Sequence, residues 1–177
     1  MSIRAVIARQ TPDGGLAGTY LHGGDPAHVV PVLLSAVAGH FGGDAEALAH
    51  YLIDDHPAGW SALGGNFAAD PGFIEPTRGN VGLSFAQHRL NRCYCHGDRT
   101  DPPRPFTAAD LQPLWHDWVY VINPDRLDVH ATRYLRGWRL GDALIPEGSL
   151  TDGYSKTLTI AWDCPPALHH GLFPHML

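Results

Sequence analysis

Residues 118–131 read WVYVINPDRLDVHA, and this stretch indicates the fold class most clearly. Two strand-like segments, 118–122 and 127–131, flank Asn123–Arg126. Pro124 stands at the second position of a turn, where its fixed φ favours a tight reversal of the chain. We therefore predict a β-hairpin here. A further strand is expected over residues 154–162, after a stretch that glycine and proline interrupt.

The N-terminal residues predict another hairpin. Residues 3–9 alternate in the manner of a strand, and residues 16–22 do so again. The sequence TPDGG at 11–15 lies between them and supplies proline and glycine, the residues that tight turns require. Residues 81–85 alternate as well, which predicts a third strand.

Two helices are predicted between these strands. Asp25 and Pro26 form a typical helix start, a capping carboxylate followed by proline in the first turn, and apolar residues then recur at helical spacing to Phe41. Asp44 is expected to cap a second helix that ends near Asp55. Because strands and helices do not alternate, we expect an α+β fold in which a mostly antiparallel sheet, built from hairpins, carries both helices on one face.

Composition sets broader limits. A chain of 177 residues, 44% of them hydrophobic, matches one globular domain over residues 1–177. No apolar run approaches the roughly 20 residues that cross a bilayer, and the first residues lead directly into a strand, so a soluble cytoplasmic protein is expected. The net charge of −6 and the lack of a Lys/Arg cluster disfavour generic nucleic-acid binding. Three cysteines in a reducing compartment are expected to stay thiols.

The order of motifs resembles a family of short uncharacterised proteins from phages, prophages and actinobacteria. Its members carry a His-Trp-Asp-Gly-Tyr-Pro run at the end of the second strand, and residues 20–26, YLHGGDP, are similar to it in a degenerate form that lacks the Trp. The resemblance covers about residues 2–134 and leaves 135–177 as a C-terminal extension. It implies a fold layout and a mobile-element origin, and it implies no activity.

The first candidate site is the loop that joins the second strand to the first helix. His22, Gly24 and Asp25 stand there, and exposed amides at a helix start can bind an anion. Asp98 and Arg99 of the irregular stretch 91–106 are expected to complete this ligand-binding site, with Arg99 as a forked donor. The alternative interpretation is that Asp25 caps the helix and the glycines permit the turn.

The second candidate site is a metal centre at Cys93, Cys95 and His96. Sulfur and imidazole are typical ligands of zinc, and Cys164 or a histidine of the C-terminal tail is expected to supply the fourth ligand. The alternative is two partly buried thiols in a loop. His56 follows the second helix, where the helix dipole alone accounts for it.

Three functions remain open from the sequence. The first is a small binding or interaction protein of phage or accessory-genome type, with an unidentified small molecule or protein as partner. The second is a metal-dependent hydrolase in which His22, His96 and Asp98 hold the ion and activate water. The third is a purely structural protein.

Overall fold

The computed structural model describes residues 3–71, 89–97, 99–112, 115–132 and 154–164, and of residues 154–157 it gives the backbone only. The strands in these ranges are β1 Ala5–Gln10, β2 Leu16–Leu21, β3 Trp60–Ala62, β4 Arg92–Cys93, β5 Trp118–Ile122, β6 Arg126–Thr132 and β7 Tyr154–Ala161. The helices are α1 Pro26–Ala38 and α2 Ala45–Ala49, and α2 continues as a π-helical turn over His50–Asp54. A short 3-10 turn covers Ala108–Asp110.

Both predicted hairpins are confirmed. β1 and β2 pair antiparallel across the TPDGG turn, and β5 and β6 pair antiparallel across the turn that contains Pro124. The predicted last strand is confirmed as β7, which pairs antiparallel with β6. The strand predicted at residues 81–85 lies outside the described residues. The division of the chain into one domain with a C-terminal extension stays a prediction.

The prediction of a mostly antiparallel sheet built from hairpins is wrong. The seven strands of the described ranges form one mixed sheet in the order β4-β3-β2-β1-β5-β6-β7. β1 runs parallel to β5, and β2 runs parallel to β3. Turn residues reveal which strands are consecutive, but they carry no information on which strands meet after a long crossover. The two hairpins therefore lie side by side through a parallel β1–β5 contact that local patterns cannot predict.

The helix starts follow the predicted capping chemistry. The carboxylate of Asp25 accepts a hydrogen bond from the backbone N–H of Ala27 at 3.0 Å, and Asp44 accepts one from Ala47 at 2.9 Å. Pro31 stays inside α1, which continues to Ala38. The second helix is shorter than predicted, because its α-helical part ends at Ala49 and a π-helical turn follows.

Both faces of the sheet are covered. On the first face, helical residues such as Val29, Leu33 and Leu48 share a fully buried core with Ile7 and Tyr120. On the second face, β1 and β5 bury a smaller cluster, which the segment around Phe106 and Leu111 covers: Val6, Ala8, Val119 and Val121. Strand alternation produces both cores, since successive side chains point to opposite faces. Within the described ranges, no helix combines the length and the apolar character that a membrane crossing requires.

Candidate metal centre

Four side chains at the β3–β4 end of the sheet offer soft ligand atoms to one point. They are His56, Cys93, Cys95 and His96, here called the ligand cluster, and their four ligand atoms all lie within 4.8 Å of one another. Two of the residues, His56 and Cys93, are buried, Cys95 is half-buried, and His96 is exposed. The cluster therefore reaches from the core to the surface.

The turn after the second helix fixes the position of His56. Its carbonyl accepts the N–H of Gly59 at 3.1 Å and the hydroxyl of Thr19 at 3.4 Å. Gly59 has φ of +93°, and a Cβ there would stand 2.8 Å from the carbonyl oxygen of Tyr20, so the turn requires glycine. The π-helical turn His50–Asp54 directly precedes this segment, and such turns are frequent at functional sites.

Aromatic rings enclose the imidazole of His56. It packs edge-on against Trp60, with ring centroids 4.6 Å apart, and against Tyr51 at 4.9 Å. Its Nδ1 is buried, and among the described residues this atom finds no hydrogen-bond partner. An orphaned buried nitrogen costs free energy unless a ligand satisfies it. A metal ion would do so.

Strand pairing positions the cysteine segment beside His56. Cys93 pairs with Trp60 across β3 and β4, and the N–H of Tyr94 donates to the carbonyl of Gly59 at 2.9 Å. Sγ of Cys93 lies 3.1 Å from Nδ1 of His96. The two segments of the ligand cluster are thus joined through backbone hydrogen bonds.

The pKa values of the two buried members, His56 and Cys93, indicate that both are neutral at pH 7 without a metal. Burial, assisted by the neighbouring His96, lowers the pKa of His56 to about 4. Burial raises the pKa of Cys93 to about 11. Neutral imidazole is the form that binds metals, whereas Cys93 must lose its proton when it becomes a ligand.

The size of the ligand cluster suits a single ion. Around tetrahedral zinc, bond lengths of about 2.3 Å to sulfur and about 2.0–2.1 Å to nitrogen place ligand atoms roughly 3.4–3.8 Å apart. The observed limit of 4.8 Å exceeds that range by about an ångström. Cys95 and His96 are the less buried members, and rotation of their side chains can supply this contraction. Four soft ligands around one point form a closed coordination shell.

The structure brings together the three predicted metal ligands, Cys93, Cys95 and His96. The fourth member is His56, which is not among the predicted ligands, because the helix dipole is enough to explain a histidine at the end of the second helix. Cys164 packs against the main core and is not part of the ligand cluster. The tail histidines lie outside the described residues. The sequence does contain one signal for His56. This residue lies after the end of the second helix, so the apolar spacing of that helix does not explain its burial.

The residues predicted to bind a ligand at the strand-helix loop make hydrogen bonds and packing contacts within the fold. Asp25 caps α1, and the carbonyl of Gly24 accepts the hydroxyl of Tyr120 at 2.8 Å. A Cβ on Gly24 would meet Cβ of Ala5 at 2.4 Å, so close packing alone requires glycine there. The hydroxyl of Tyr20 lies 3.0 Å from Nδ1 of His22. A ligand-binding role for this loop stays a prediction.

Arg99 is likewise engaged within its own loop. Its Nε donates to Asp101 at 3.2 Å, and its guanidinium lies 4.6 Å from the ring centroid of Tyr94. These contacts stiffen the segment that follows the cysteines. Asp98, the predicted partner of Arg99, lies outside the described residues. In the described part of the chain, His22 is not part of the ligand cluster. The ion-binding set predicted for a hydrolase, His22 with His96 and Asp98, stays a prediction.

No family model, no curated protein and no solved structure matches this chain. The resemblance to the phage and actinobacterial family therefore stays a prediction.

Proposed function

We propose that this chain is a zinc-binding protein and that zinc in the ligand cluster serves as a structural cross-link. One observation carries the proposal. Two thiols and two imidazoles, from segments far apart in the sequence, converge within 4.8 Å. Apolar packing alone does not favour this arrangement, because it leaves Nδ1 of the buried His56 without a hydrogen-bond partner among the described residues.

The donor set favours zinc. Two sulfur and two nitrogen ligands match the tetrahedral Cys₂His₂ composition of structural zinc sites. Clusters of two iron atoms spread their ligands over two metals, which requires more room than a site built for one ion. A compact set of four soft donors is therefore best matched by one zinc ion.

The expected effect of zinc is to close the chain on itself. His56 belongs to the turn after the π-helical segment, and Cys93, Cys95 and His96 belong to β4 and the loop beyond it. A metal bond between these segments constrains the long connection between them in the unfolded chain. Zinc therefore stabilises the β3–β4 end of the sheet.

A structural role fits the cluster better than hydrolysis does. A hydrolytic zinc keeps an open position for water, whereas four protein ligands fill a tetrahedral shell. The metal-dependent hydrolase and the site-free structural protein are therefore not the functions that we propose.

The test is the metal content of untagged full-length protein, purified without chelators, for the wild type and two matched variants. Cys95→Ser removes a half-buried member of the ligand cluster, and Cys164→Ser removes a half-buried cysteine outside it. We expect about one equivalent of zinc in the wild type and in Cys164→Ser. Cys95→Ser should lose zinc to a competing chelator at a concentration at least about 100-fold lower.

The histidines give a second matched pair. His96→Asn changes the exposed ligand, and His40→Asn changes an exposed histidine elsewhere. Only His96→Asn should weaken zinc binding. Equal zinc retention in all four variants, or wild-type protein without stoichiometric zinc after growth in zinc-supplemented medium, would contradict the proposal.

A further inference from the structure

A cleft of about 350 Å³ opens on the second face of the sheet, away from the ligand cluster. Its volume lies at the lower end of small-molecule sites, which suits a ligand of one ring rather than a cofactor. The side chains that matter for its chemistry are Arg4, Phe106, Asp110, Gln112, Trp115 and His116. None of the functions considered above uses this cleft.

Arg4 brings a cation to the cleft. Three other arginines of the described ranges, Arg9, Arg99 and Arg126, form ion pairs with aspartates. The Arg4 guanidinium instead lies 5.4 Å from the ring centroid of Trp115, and it makes no ion pair with the described residues. The forked donors of a guanidinium suit a bidentate pair with a carboxylate or phosphate.

Aromatic rings provide the second element of the cleft. Trp115 is 57% exposed, which is unusual for the largest apolar side chain. Phe106 lies across the cleft and packs edge-on against His116, with ring centroids 5.1 Å apart. Exposed indole surface beside a cation is typical of sites that bind planar groups.

His116 lines the cleft as a neutral imidazole, so the positive charge in the cleft comes from Arg4. The backbone N–H of Gln112 donates to Nδ1 of His116 at 3.2 Å, which requires that nitrogen to be unprotonated. Burial, with a further contribution from Arg4, lowers the pKa of His116. The imidazole therefore stays neutral near pH 7.

Asp110 brings a negative charge to the cleft. Its carboxylate accepts hydrogen bonds from the N–H of Thr107 at 2.8 Å and from the Thr107 hydroxyl at 2.7 Å. These bonds lower the pKa of Asp110 and keep it negative at neutral pH. Asp110 therefore repels any anion in the cleft, and this repulsion offsets part of the attraction to Arg4.

We infer that this cleft binds a small aromatic carboxylate, whose carboxylate group pairs with Arg4 and whose ring lies against Trp115 and Phe106. The inference is independent of the zinc centre, since none of its residues belongs to the ligand cluster. The ring supplies apolar contact area, and Arg4 supplies a charge-assisted pair of hydrogen bonds.

The experiment is an NMR titration of the full-length protein with benzoate, followed at the indole N–H of Trp115. Benzamide is the uncharged isostere, and phenyl phosphate is the doubly charged analogue. We expect saturable benzoate binding with a dissociation constant of about 10 mM or lower. Benzamide should bind at least about tenfold more weakly, since it lacks the charge that pairs with Arg4. Phenyl phosphate distinguishes a phosphate ester from a carboxylate as the group that Arg4 binds.

Variants assign the binding to this cleft. Arg4→Gln should weaken benzoate binding about tenfold or more, whereas Arg104→Gln, a change at an exposed arginine outside the cleft, should leave it unchanged. Phe106→Leu reports on ring contact in a protein that retains Arg4, and it should also weaken binding. An absence of saturable shifts, equal affinity for benzoate and benzamide, or benzoate binding that Arg4→Gln does not change would overturn the inference. Tighter binding of phenyl phosphate than of benzoate would overturn the inferred carboxylate and indicate a phosphate ester as the ligand.

Discussion

The two ends of the described sheet are built in different ways. At its centre, β5 has five residues, all buried, and pairs along its length with β1 on one side and β6 on the other. At the ligand end, formed by β3 and β4, the strands have three and two residues and their register shifts between Trp60 and Ala62. Apolar burial holds the centre, whereas the ligand end has few ladder hydrogen bonds and contains the ligand cluster.

A metal contributes most to stability where apolar burial and strand pairing are weakest. Long, doubly paired strands bury enough apolar surface to be stable without a cofactor. Two very short strands do not, and the turn that precedes β3 contains a buried imidazole nitrogen, Nδ1 of His56, without a partner among the described residues. If zinc stabilises the ligand end, substitutions at the centre should lower the free energy of unfolding by the same amount with and without zinc. Removal of zinc should first destabilise the ligand end.

The largest effect is expected at the centre. Leu127 on β6 is fully buried in the main core, and Leu127→Ala should lower the free energy of unfolding by about 3 kcal/mol through lost burial and a residual cavity. Urea denaturation with excess zinc, and again with chelator, should give the same difference between variant and wild type. A difference that depends strongly on zinc would show that the centre is not independent of the ligand end.

Chelation should produce a somewhat smaller and local effect. Removing zinc should increase amide hydrogen exchange of Tyr94, whose N–H donates to Gly59, by about 100-fold, because that hydrogen bond joins the two ligand-bearing segments. Central amides such as those of Val119 and Val129 should respond less. Equal acceleration of hydrogen exchange at Tyr94 and at the central amides would mean that zinc acts only on global stability. No acceleration at Tyr94 would contradict the proposed zinc cross-link.

Acidification should weaken zinc binding. The pKa of Cys93 is raised to about 11 by burial, so at neutral pH the metal-free thiol holds a proton that zinc must displace. As pH falls from 7.5 to 6.5, protons compete more strongly for the Cys93 thiolate, and this competition alone should lower the affinity by about tenfold. As pH rises towards 11 the affinity should increase. Competition titrations, corrected for the pH dependence of the chelator's own zinc affinity, measure how the zinc affinity of the protein changes with pH. A zinc affinity that does not change with pH would exclude thiolate ligation.

The smallest effect is expected at the helix start. Asp25→Ala removes the cap of α1 and should cost about 1 kcal/mol of stability. Zinc content should not change, since Asp25 lies outside the ligand cluster. Thermal melting and metal analysis check both statements. Asp25→Asn keeps a capping side chain and should restore most of the loss.

The sequence predicts the parts of the fold that local chemistry determines. Pro124 and the TPDGG turn identify both hairpins, and Asp25 and Asp44 identify both helix starts. It does not predict β3 or β4, because two or three residues are too few to show a period. It does not predict the parallel neighbours either, because contacts across long connections leave no local pattern.

The same limit applies to the site. Cys93, Cys95 and His96 are close in sequence, and their residue types indicate a metal. His56 is remote from them in sequence, and a residue beside a helix end has an ordinary explanation in the helix dipole. Only the pairing of Trp60 with Cys93 reveals that these segments meet.

X-ray absorption at the zinc edge of the purified full-length protein identifies the atoms bound to the metal. We expect two sulfur neighbours at about 2.3 Å and two nitrogen neighbours at about 2.0–2.1 Å, with the multiple-scattering signature of imidazole. His56→Ala should leave two sulfurs and one imidazole. A shell of oxygen and nitrogen without sulfur would contradict the account, because zinc would then lie away from Cys93 and Cys95.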